Sequence, residues 1–134
     1  MTARSCDTSV LIPAIATWHP DHVVARDAID DVEGVPAHVL VECYSVLTRL
    51  PAPQRWSAAA AAELIAGLRL DALSLPGDLH QPLIAELARH GVRGGATYDG
   101  LVAATAKHHD LHLVTRDRRA CPTYDAVGVT YTML

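Results

Sequence analysis

The chain has 134 residues, of which 50% are hydrophobic and 19% are charged, and its formal net charge is −4. This length predicts one globular domain over residues 1–134. No apolar run is long enough to span a membrane, and the negative net charge does not by itself indicate nucleic-acid binding. Three scattered cysteines without a C-x-x-C pair exclude a disulfide framework, and with no signal-peptide layout near Asp7 we expect a cytoplasmic protein.

The first predicted strand and helix have an acidic residue at their junction. Residues 2–6 are predicted as a short strand, Asp7 stands at its C-terminal tip, and residues 10–18 are predicted as a helix. Thr8 or Ser9 is the expected N-cap, because a hydroxyl there can accept a hydrogen bond from the first turn. Ligands of open α/β sheets bind just outside strand tips, so Asp7 is a candidate for binding a cation or a proton. The alternative is that Asp7 only takes part in the cap.

Helical spacing and chain breakers predict the middle of the chain. The helix predicted over 38–50 has an apolar stripe that includes Cys43, Tyr44 and Leu47. The other predicted elements here are a helix over 21–32, a short strand over 35–37, a helix over 57–68 capped by Ser57, and a strand over 70–75.

Helices and strands alternate in the last part of the chain as well. The predicted elements are a helix over 79–90, a helix over 98–108 capped by Thr97, a strand over 111–115 and a last strand over 127–131. The strand over 111–115 is almost continuously apolar, as buried parallel strands are. Strands separated by helices predict an α/β fold, a three-layer sandwich with a central parallel sheet of four to five strands.

Four acidic residues fall at equivalent places in this predicted topology. Asp7 and Asp117 directly follow predicted strands, and Glu42 and Asp99 lie in the first turns of predicted helices. Because strand tips and the helix N-termini that follow them share one edge of a parallel sheet, we expect the four carboxylates to converge. Mg²⁺ prefers oxygen ligands and keeps several waters, which suits such a group. The alternative is that each acid is merely favoured by the positive end of a helix.

Four segments of the chain form an ordered set of motifs. They are C-D-T-S-V-L-I over 6–12, V-E-C-Y-S-V-L-T-R-L over 41–50, Y-D-G-L-V-A-A-T-A over 98–106 and L-V-T-R-D-R-R over 113–119. This set covers nearly the whole chain and resembles the PIN-domain ribonucleases, in particular the VapC toxins of toxin–antitoxin pairs. The tail around Pro122 and Tyr124 is similar to that group too.

The resemblance implies an endoribonuclease that depends on Mg²⁺ or Mn²⁺ and hydrolyses RNA phosphodiester bonds with metal-activated water. It implies that the catalytic, metal-binding acids are Asp7, Glu42, Asp99 and Asp117, with Ser9 and Thr115 as supporting hydroxyls. It also implies inhibition by a cognate VapB-type antitoxin, and assembly as a homodimer.

Several basic and aromatic side chains are candidates for contacting RNA. Arginine binds phosphate bidentately, so we interpret the arginines near the acids as phosphate contacts, with a solvated turn as the alternative. They are Arg49, Arg116, Arg118 and Arg119. Three aromatic residues are open to either base stacking or core packing, namely Trp18, Trp56 and Tyr98.

Two other functional classes fit the chain less well. A phosphoacceptor receiver domain has a similar size, but it needs adjacent acids near the N-terminus and a lysine at a late strand tip. The only lysine, Lys107, lies inside a predicted helix. A non-catalytic binding module has no need of four carboxylates at one edge. A zinc site at His108, His109 and His112 is disfavoured, because these residues fall on different predicted elements far from Asp7.

Overall fold

A computed structural model describes residues 3–134 as short parallel strands connected by helices. The strands are β1 (Arg4–Cys6), β2 (Gly34–Pro36), β3 (Asp71–Leu73), β4 (His112–Thr115) and β5 (Tyr131–Met133). The helices are α1 (Thr8–Ile15), α2 (His22–Ile29), α3 (Ala37–Arg49), α4 (Ala58–Gly67), α5 (His80–Arg89), α6 (Ala96–His108) and α7 (Cys121–Val127). Thr2, which the sequence places in the first strand, lies outside the described residues. Between residues 3 and 134, no helix combines the length and apolar character that a membrane span requires.

All of the strand pairs are parallel. β4 lies between β1 and β5, and β2 pairs with β3. A single bridge between Arg4 and Val32 connects the two groups of strands. The predicted α/β fold with a parallel sheet is confirmed, with the five strands hydrogen-bonded as three plus two.

The C-terminal ends of β1 and β4 lie side by side. Cys6 pairs with Val114, and the N–H of Asp7 donates to the carbonyl of Val114 over 3.3 Å. Helix α1 begins directly after β1 and α3 directly after β2, so both helix N-termini lie at this edge of the strands. Asp7 therefore stands beside the end of β4.

The N-cap of α1 differs from the prediction. Asp7 is the cap, because its carboxylate accepts a hydrogen bond from the N–H of Ser9 over 3.0 Å. Aspartate is among the strongest N-cap residues, and it stands where the backbone leaves the strand. The prediction that Thr8 or Ser9 caps this helix is therefore wrong.

Two other predicted caps have opposite outcomes. Ser57 does cap α4, where its hydroxyl accepts from the N–H of Ala60 over 3.2 Å. Thr97 does not cap α6, because the helix already begins at Ala96 and no side chain caps it. The helix therefore starts two residues earlier than predicted.

The C-terminal segment corrects the predicted last strand. Residues up to Val127 belong to α7, a helix that was not predicted from the sequence, and β5 begins only at Tyr131. Gly128 ends α7 in the left-handed conformation, with φ 87°. A proline in the first turn and a glycine after the last turn are helix signals that the alternation of valines over 127–131 concealed.

The predicted apolar stripe of α3 is confirmed at Cys43 and Leu47 but not at Tyr44. Val39, Cys43 and Leu47 are fully buried, whereas Tyr44 is 38% exposed. Tyr44 therefore does not belong to the core face. On α6, a Cβ at Gly100 would approach Leu87 of α5 within 2.7 Å, so the absence of a side chain there permits close packing of the two helices.

All three cysteines are free, as expected. Cys6 and Cys43 are buried, and burial raises the pKa of both thiols, that of Cys43 to about 12. Cys121 is only partly buried. The first two therefore act as small apolar core residues.

Candidate active site

Asp7 is the most buried acid at the edge of the sheet, with 6% of its surface exposed. Its Oδ1 accepts hydrogen bonds from the N–H and the hydroxyl of Ser9. Its Oδ2 accepts from the hydroxyls of Thr115, over 2.5 Å, and Tyr124, over 2.6 Å. Burial raises the pKa of Asp7, while these hydrogen bonds favour the ionised form and oppose that shift. Four donors therefore hold the carboxylate in one orientation.

Ser9 and Thr115 link Asp7 to the chain after β4. Ser9 Oγ accepts from the N–H of Arg116 over 2.8 Å, and Thr115 Oγ1 accepts from the N–H of Asp117 over 3.1 Å. The two hydroxyl oxygens are 3.3 Å apart. Each hydroxyl thus donates to Asp7 and accepts from the segment that carries Asp117, which fixes the two acidic positions relative to each other.

Asp99, in the first turn of α6, interacts electrostatically with the other three acids. Burial raises its pKa to about 6, and repulsion from Asp117, Glu42 and Asp7 adds to the shift. Arg119 opposes the shift, and no hydrogen bond within the described residues relieves it. The structure thus brings the four predicted acids together, as the parallel topology requires.

Glu42 and Asp117 form the more exposed side of the cluster. Glu42 Oε2 lies 3.2 Å from His38 Nε2, one turn earlier on α3. Asp117 Oδ1 accepts from the N–H of Arg119 over 3.0 Å and caps the short 3-10 turn Arg118–Ala120. Both side chains keep more than a quarter of their surface in solvent, so an ion can reach them from outside.

Arg116 forms an ion pair in this structure. Its guanidinium lies 2.6 Å from the carboxylate of Asp21, the residue just before α2. Asp21 also lies 3.8 Å from the ring of His19. Arg116 therefore connects the tip of β4 to the start of α2.

The other three candidate arginines are more accessible. Arg119 has 93% of its side chain exposed and lies 3.4 Å from Asp117. Arg118 is exposed on the same turn. Arg49 is exposed at the end of α3, where it donates to the hydroxyl of Ser45 over 2.9 Å. Arg118 and Arg119 therefore flank the acids, and Arg49 lies two turns further along the helix of Glu42.

Most of the chain, residues 5–125, matches the PIN domain family. The chain belongs to the PIN-domain family. It is 46% identical to Ribonuclease VapC40 of Mycobacterium tuberculosis over 129 residues, which covers 92% of each protein. It is 42% identical to Ribonuclease VapC27 of the same organism over 125 residues, covering 92% of this chain and 90% of that protein. The resemblance to VapC-type PIN-domain ribonucleases is confirmed.

Solved structures agree on the PIN-domain fold. The crystal structure of FitAcB from Neisseria gonorrhoeae superposes with a TM-score of 0.62 at 24% identity, covering 95% of this chain and 94% of that one. The structure of FitAB bound to an IR36 DNA fragment gives a TM-score of 0.57 at 21% identity, with 96% and 93% covered. At these identities the likeness shows the fold alone.

Two residues of this PIN domain contact the acids and were missed as site residues in the sequence. Tyr124 donates to Asp7 and is only 1% exposed, and His38 contacts Glu42. His38 stands four residues before an acid on a predicted helix, a spacing that does place two side chains on one face. Tyr124 had no such signal, since only the folding of α7 brings it to β1.

The receiver-domain alternative lacks its lysine in this PIN domain. Lys107 donates to the carbonyl of Val127 over 3.0 Å, at the opposite end of α6 from Asp99. The three histidines are not a metal site either, because His109 bonds the carbonyl of Ser74 and His112 bonds threonine hydroxyls of the β5 region. Both results follow from positions at the C-terminal end of α6 and the start of β4, at the opposite end of α6 from Asp99.

The donor chemistry at the acidic edge of this PIN domain fits a hydrated divalent cation. Burial raises the pKa of Asp99, repulsion from Asp117, Glu42 and Asp7 adds to the shift, and a cation relieves such repulsion. Within residues 3–134, no three potential ligand side chains are close enough to form a metal-binding group by themselves. Mg²⁺ needs only one or two carboxylates because it keeps several waters. A cation that binds Asp7 has to displace one of its four donors, since a carboxylate has about four acceptor positions.

Proposed function

We propose that this single-domain protein is an Mg²⁺- or Mn²⁺-dependent endoribonuclease, the toxin of a toxin–antitoxin pair, acting in the cytoplasm as a homodimer. The observation that carries the proposal is that Asp99 lies near enough to Asp117, Glu42 and Asp7 for their charges to add to the effect of burial, which together raise its pKa to about 6. Four carboxylates from distant parts of the chain at one sheet edge suit metal-assisted hydrolysis. Two relatives more than 40% identical are named ribonucleases, which supports RNA as the substrate.

The proposed roles of the acids follow from their surroundings. One or two of Asp99, Glu42 and Asp117 would bind the cation directly and the others through its waters, because their carboxylates are accessible and accept few hydrogen bonds. When bound, a divalent cation stabilises negative charge on the phosphate and lowers the pKa of water. Asp7 contributes a negative charge whose position is fixed by the hydroxyls of Ser9 and Thr115. The chain therefore supplies an arrangement of charge that exists before the substrate binds.

The arginines give the site a means of holding an anionic substrate. Arg118 and Arg119 are exposed beside Asp117, and guanidinium groups bind phosphate oxygens in pairs. RNA phosphates repel carboxylates, so positive side chains at the rim are needed for the substrate to approach an acidic edge. We propose that these two residues orient the RNA backbone next to Asp99 and Asp117.

Metal dependence is the direct test of this function. With Mg²⁺ or Mn²⁺ the protein is expected to cleave single-stranded RNA, and EDTA is expected to stop the reaction. A ligand that binds only the folded state stabilises it by about 2.7 kcal/mol at a concentration 100 times its Kd, so the melting temperature should rise with the metal. Cleavage gels and thermal scans measure the two effects. An equal thermal rise in the Asp99→Asn, Asp117→Asn double variant would contradict the proposed site.

We propose that the antitoxin inhibits the protein by placing a positively charged side chain among the carboxylates. A cluster of carboxylates that repel one another is stabilised by any cation, including an arginine or lysine of a partner. Alanine substitutions of the basic antitoxin residues that lie among the carboxylates should therefore weaken the complex by about 2–5 kcal/mol. This is the usual effect of truncating one partner of a buried ion pair. Titration calorimetry measures the affinity and RNA cleavage measures release. Unchanged affinity and full suppression would show that inhibition comes from steric cover instead.

A further inference from the structure

Two aromatic rings are stacked beside the acids. His38 of α3 and Tyr98 of α6 have ring centroids 5.2 Å apart and planes that differ by only 3°. His38 Nε2 lies 3.2 Å from Glu42, which fixes the orientation of the imidazole ring. Tyr98 is 56% exposed, so much of its ring is in contact with water. We call this His38–Tyr98 pair the aromatic pair.

The aromatic pair borders the acidic site on two helices. Tyr98 directly precedes Asp99 in the first turn of α6, and His38 stands one turn before Glu42 on α3. Glu42 is near enough to Asp99 for its charge to contribute to the raised pKa of Asp99. A nucleotide whose phosphate reaches these acids therefore has its base within reach of the aromatic pair.

We propose that the aromatic pair of His38 and Tyr98 is a platform on which one base of the RNA substrate stacks. The proposal rests on the endoribonuclease function proposed above. An aromatic face binds any base, because every base has a π-face, and single-stranded RNA is commonly held in this way. The platform would supply affinity without charge at an edge where four carboxylates repel the RNA backbone.

The exposed fraction of Tyr98 distinguishes a base-stacking platform from simple packing between α3 and α6. An aromatic ring that only fastens two helices gains most by being buried, as Tyr124 is at 1% exposure. Tyr98 leaves more than half of its surface in solvent although it already stacks on His38. Because its ring is parallel to that of His38 and remains exposed, a further planar group can stack on the pair.

The test compares Tyr98→Leu, which removes the aromatic face, with Tyr98→Phe, which keeps it. The matched control is Tyr44→Leu, because Tyr44 is another partly exposed tyrosine, 38% exposed, on α3. Loss of one stacked base should lower kcat/KM for a short single-stranded RNA by about 5- to 100-fold in Tyr98→Leu. Tyr98→Phe, which keeps the aromatic face, should recover most of this loss, and Tyr44→Leu should remain within about twofold of the wild-type protein.

A set of RNAs, each with one abasic nucleotide near the cleaved bond, identifies the stacked base. The wild-type protein should lose about the same 5- to 100-fold at one abasic position. Tyr98→Leu should lose nothing further there, because the base and the ring act as one contact. A purely structural role of Tyr98 would leave the abasic penalty unchanged in the variant.

The outcomes distinguish failure of the platform from failure of the proposed function. If the wild-type protein cleaves RNA but Tyr98→Leu does so equally well, or the abasic penalty persists in that variant, the platform is overturned and the nuclease function stands. If the wild-type protein cleaves no RNA with Mg²⁺ or Mn²⁺, the proposed function is overturned and the platform with it. Thermal scans show whether each variant is folded at the assay temperature.

Discussion

Replacing Asp99 by asparagine is expected to abolish RNA cleavage and, at neutral pH, to raise the melting temperature of the metal-free protein. The pKa of Asp99 is raised to about 6 by burial and by repulsion from Asp117, Glu42 and Asp7. Ionised Asp99 is therefore less favourable in the folded protein than in the unfolded chain. Asparagine removes the charge at constant shape, which stabilises the fold and deletes a proposed metal ligand.

The pH dependence of this gain follows from the direction of the shift. The folded-state pKa of about 6 exceeds the ordinary value of 3.8, so the folded protein holds the proton more tightly. The stability penalty is absent below about pH 4, grows as the pH rises and is complete above about pH 6. The full shift corresponds to about 3 kcal/mol at ~1.36 kcal/mol per pKa unit, and solvent screening at a partly exposed group reduces it to about 1–2 kcal/mol.

Thermal scans in EDTA at pH 7 and at pH 4 measure the Asp99 effect. A gain of about 1–2 kcal/mol raises the melting temperature by about 3–8 °C at pH 7, and the two proteins should nearly coincide at pH 4. Asp125→Asn is the control, because Asp125 accepts from the hydroxyl of Tyr131 over 2.9 Å and has no place in the cluster. No gain at pH 7 would contradict the raised pKa of Asp99, and wild-type cleavage would mean that Asp99 is not in the active site.

The convergence of the acids could be predicted because it depends only on topology. Parallel strands end at a common edge, so any residue that follows β1 or β4 lies there, whatever the exact boundaries. This is why Asp7 and Asp117 are brought together although the cap of α1 and the start of α6 were predicted incorrectly. An error of one or two residues at a helix end shifts a cap but leaves an acid at the same edge.

The partners of these acids could not be predicted, because they depend on tertiary packing. Tyr124 reaches Asp7 across 117 positions of sequence, and Arg116 pairs with Asp21. Neither contact leaves a local pattern in the sequence. Helix α7 is a different case, because its proline and its terminal glycine are signals in the sequence. The valines over 127–131 have the spacing of a strand, and for this reason a strand was predicted there instead.

Asp7→Ala is also expected to abolish cleavage, but with the opposite effect on stability. The carboxylate caps α1 and accepts hydrogen bonds from the hydroxyls of Ser9, Thr115 and Tyr124. Loss of an N-cap costs about 0.5–2 kcal/mol, and each buried donor left without an acceptor costs about 1–3 kcal/mol. Relief of the buried charge, which raises the pKa of Asp7, offsets part of this loss. We expect a net loss of about 2–4 kcal/mol in urea denaturation at pH 7.

A double-mutant cycle with Tyr124→Phe tests whether that loss comes from the hydroxyls. In the wild-type protein, removing the Tyr124 hydroxyl takes a donor from Asp7 and should cost about 1 kcal/mol. In the Asp7→Ala background the same change removes a buried hydroxyl that has already lost its acceptor, so it should cost nothing or stabilise the fold. Equal costs in the two backgrounds would show that Tyr124 and Asp7 are not coupled. The difference between the two costs is therefore a direct measure of how firmly α7 holds the carboxylate at the tip of β1.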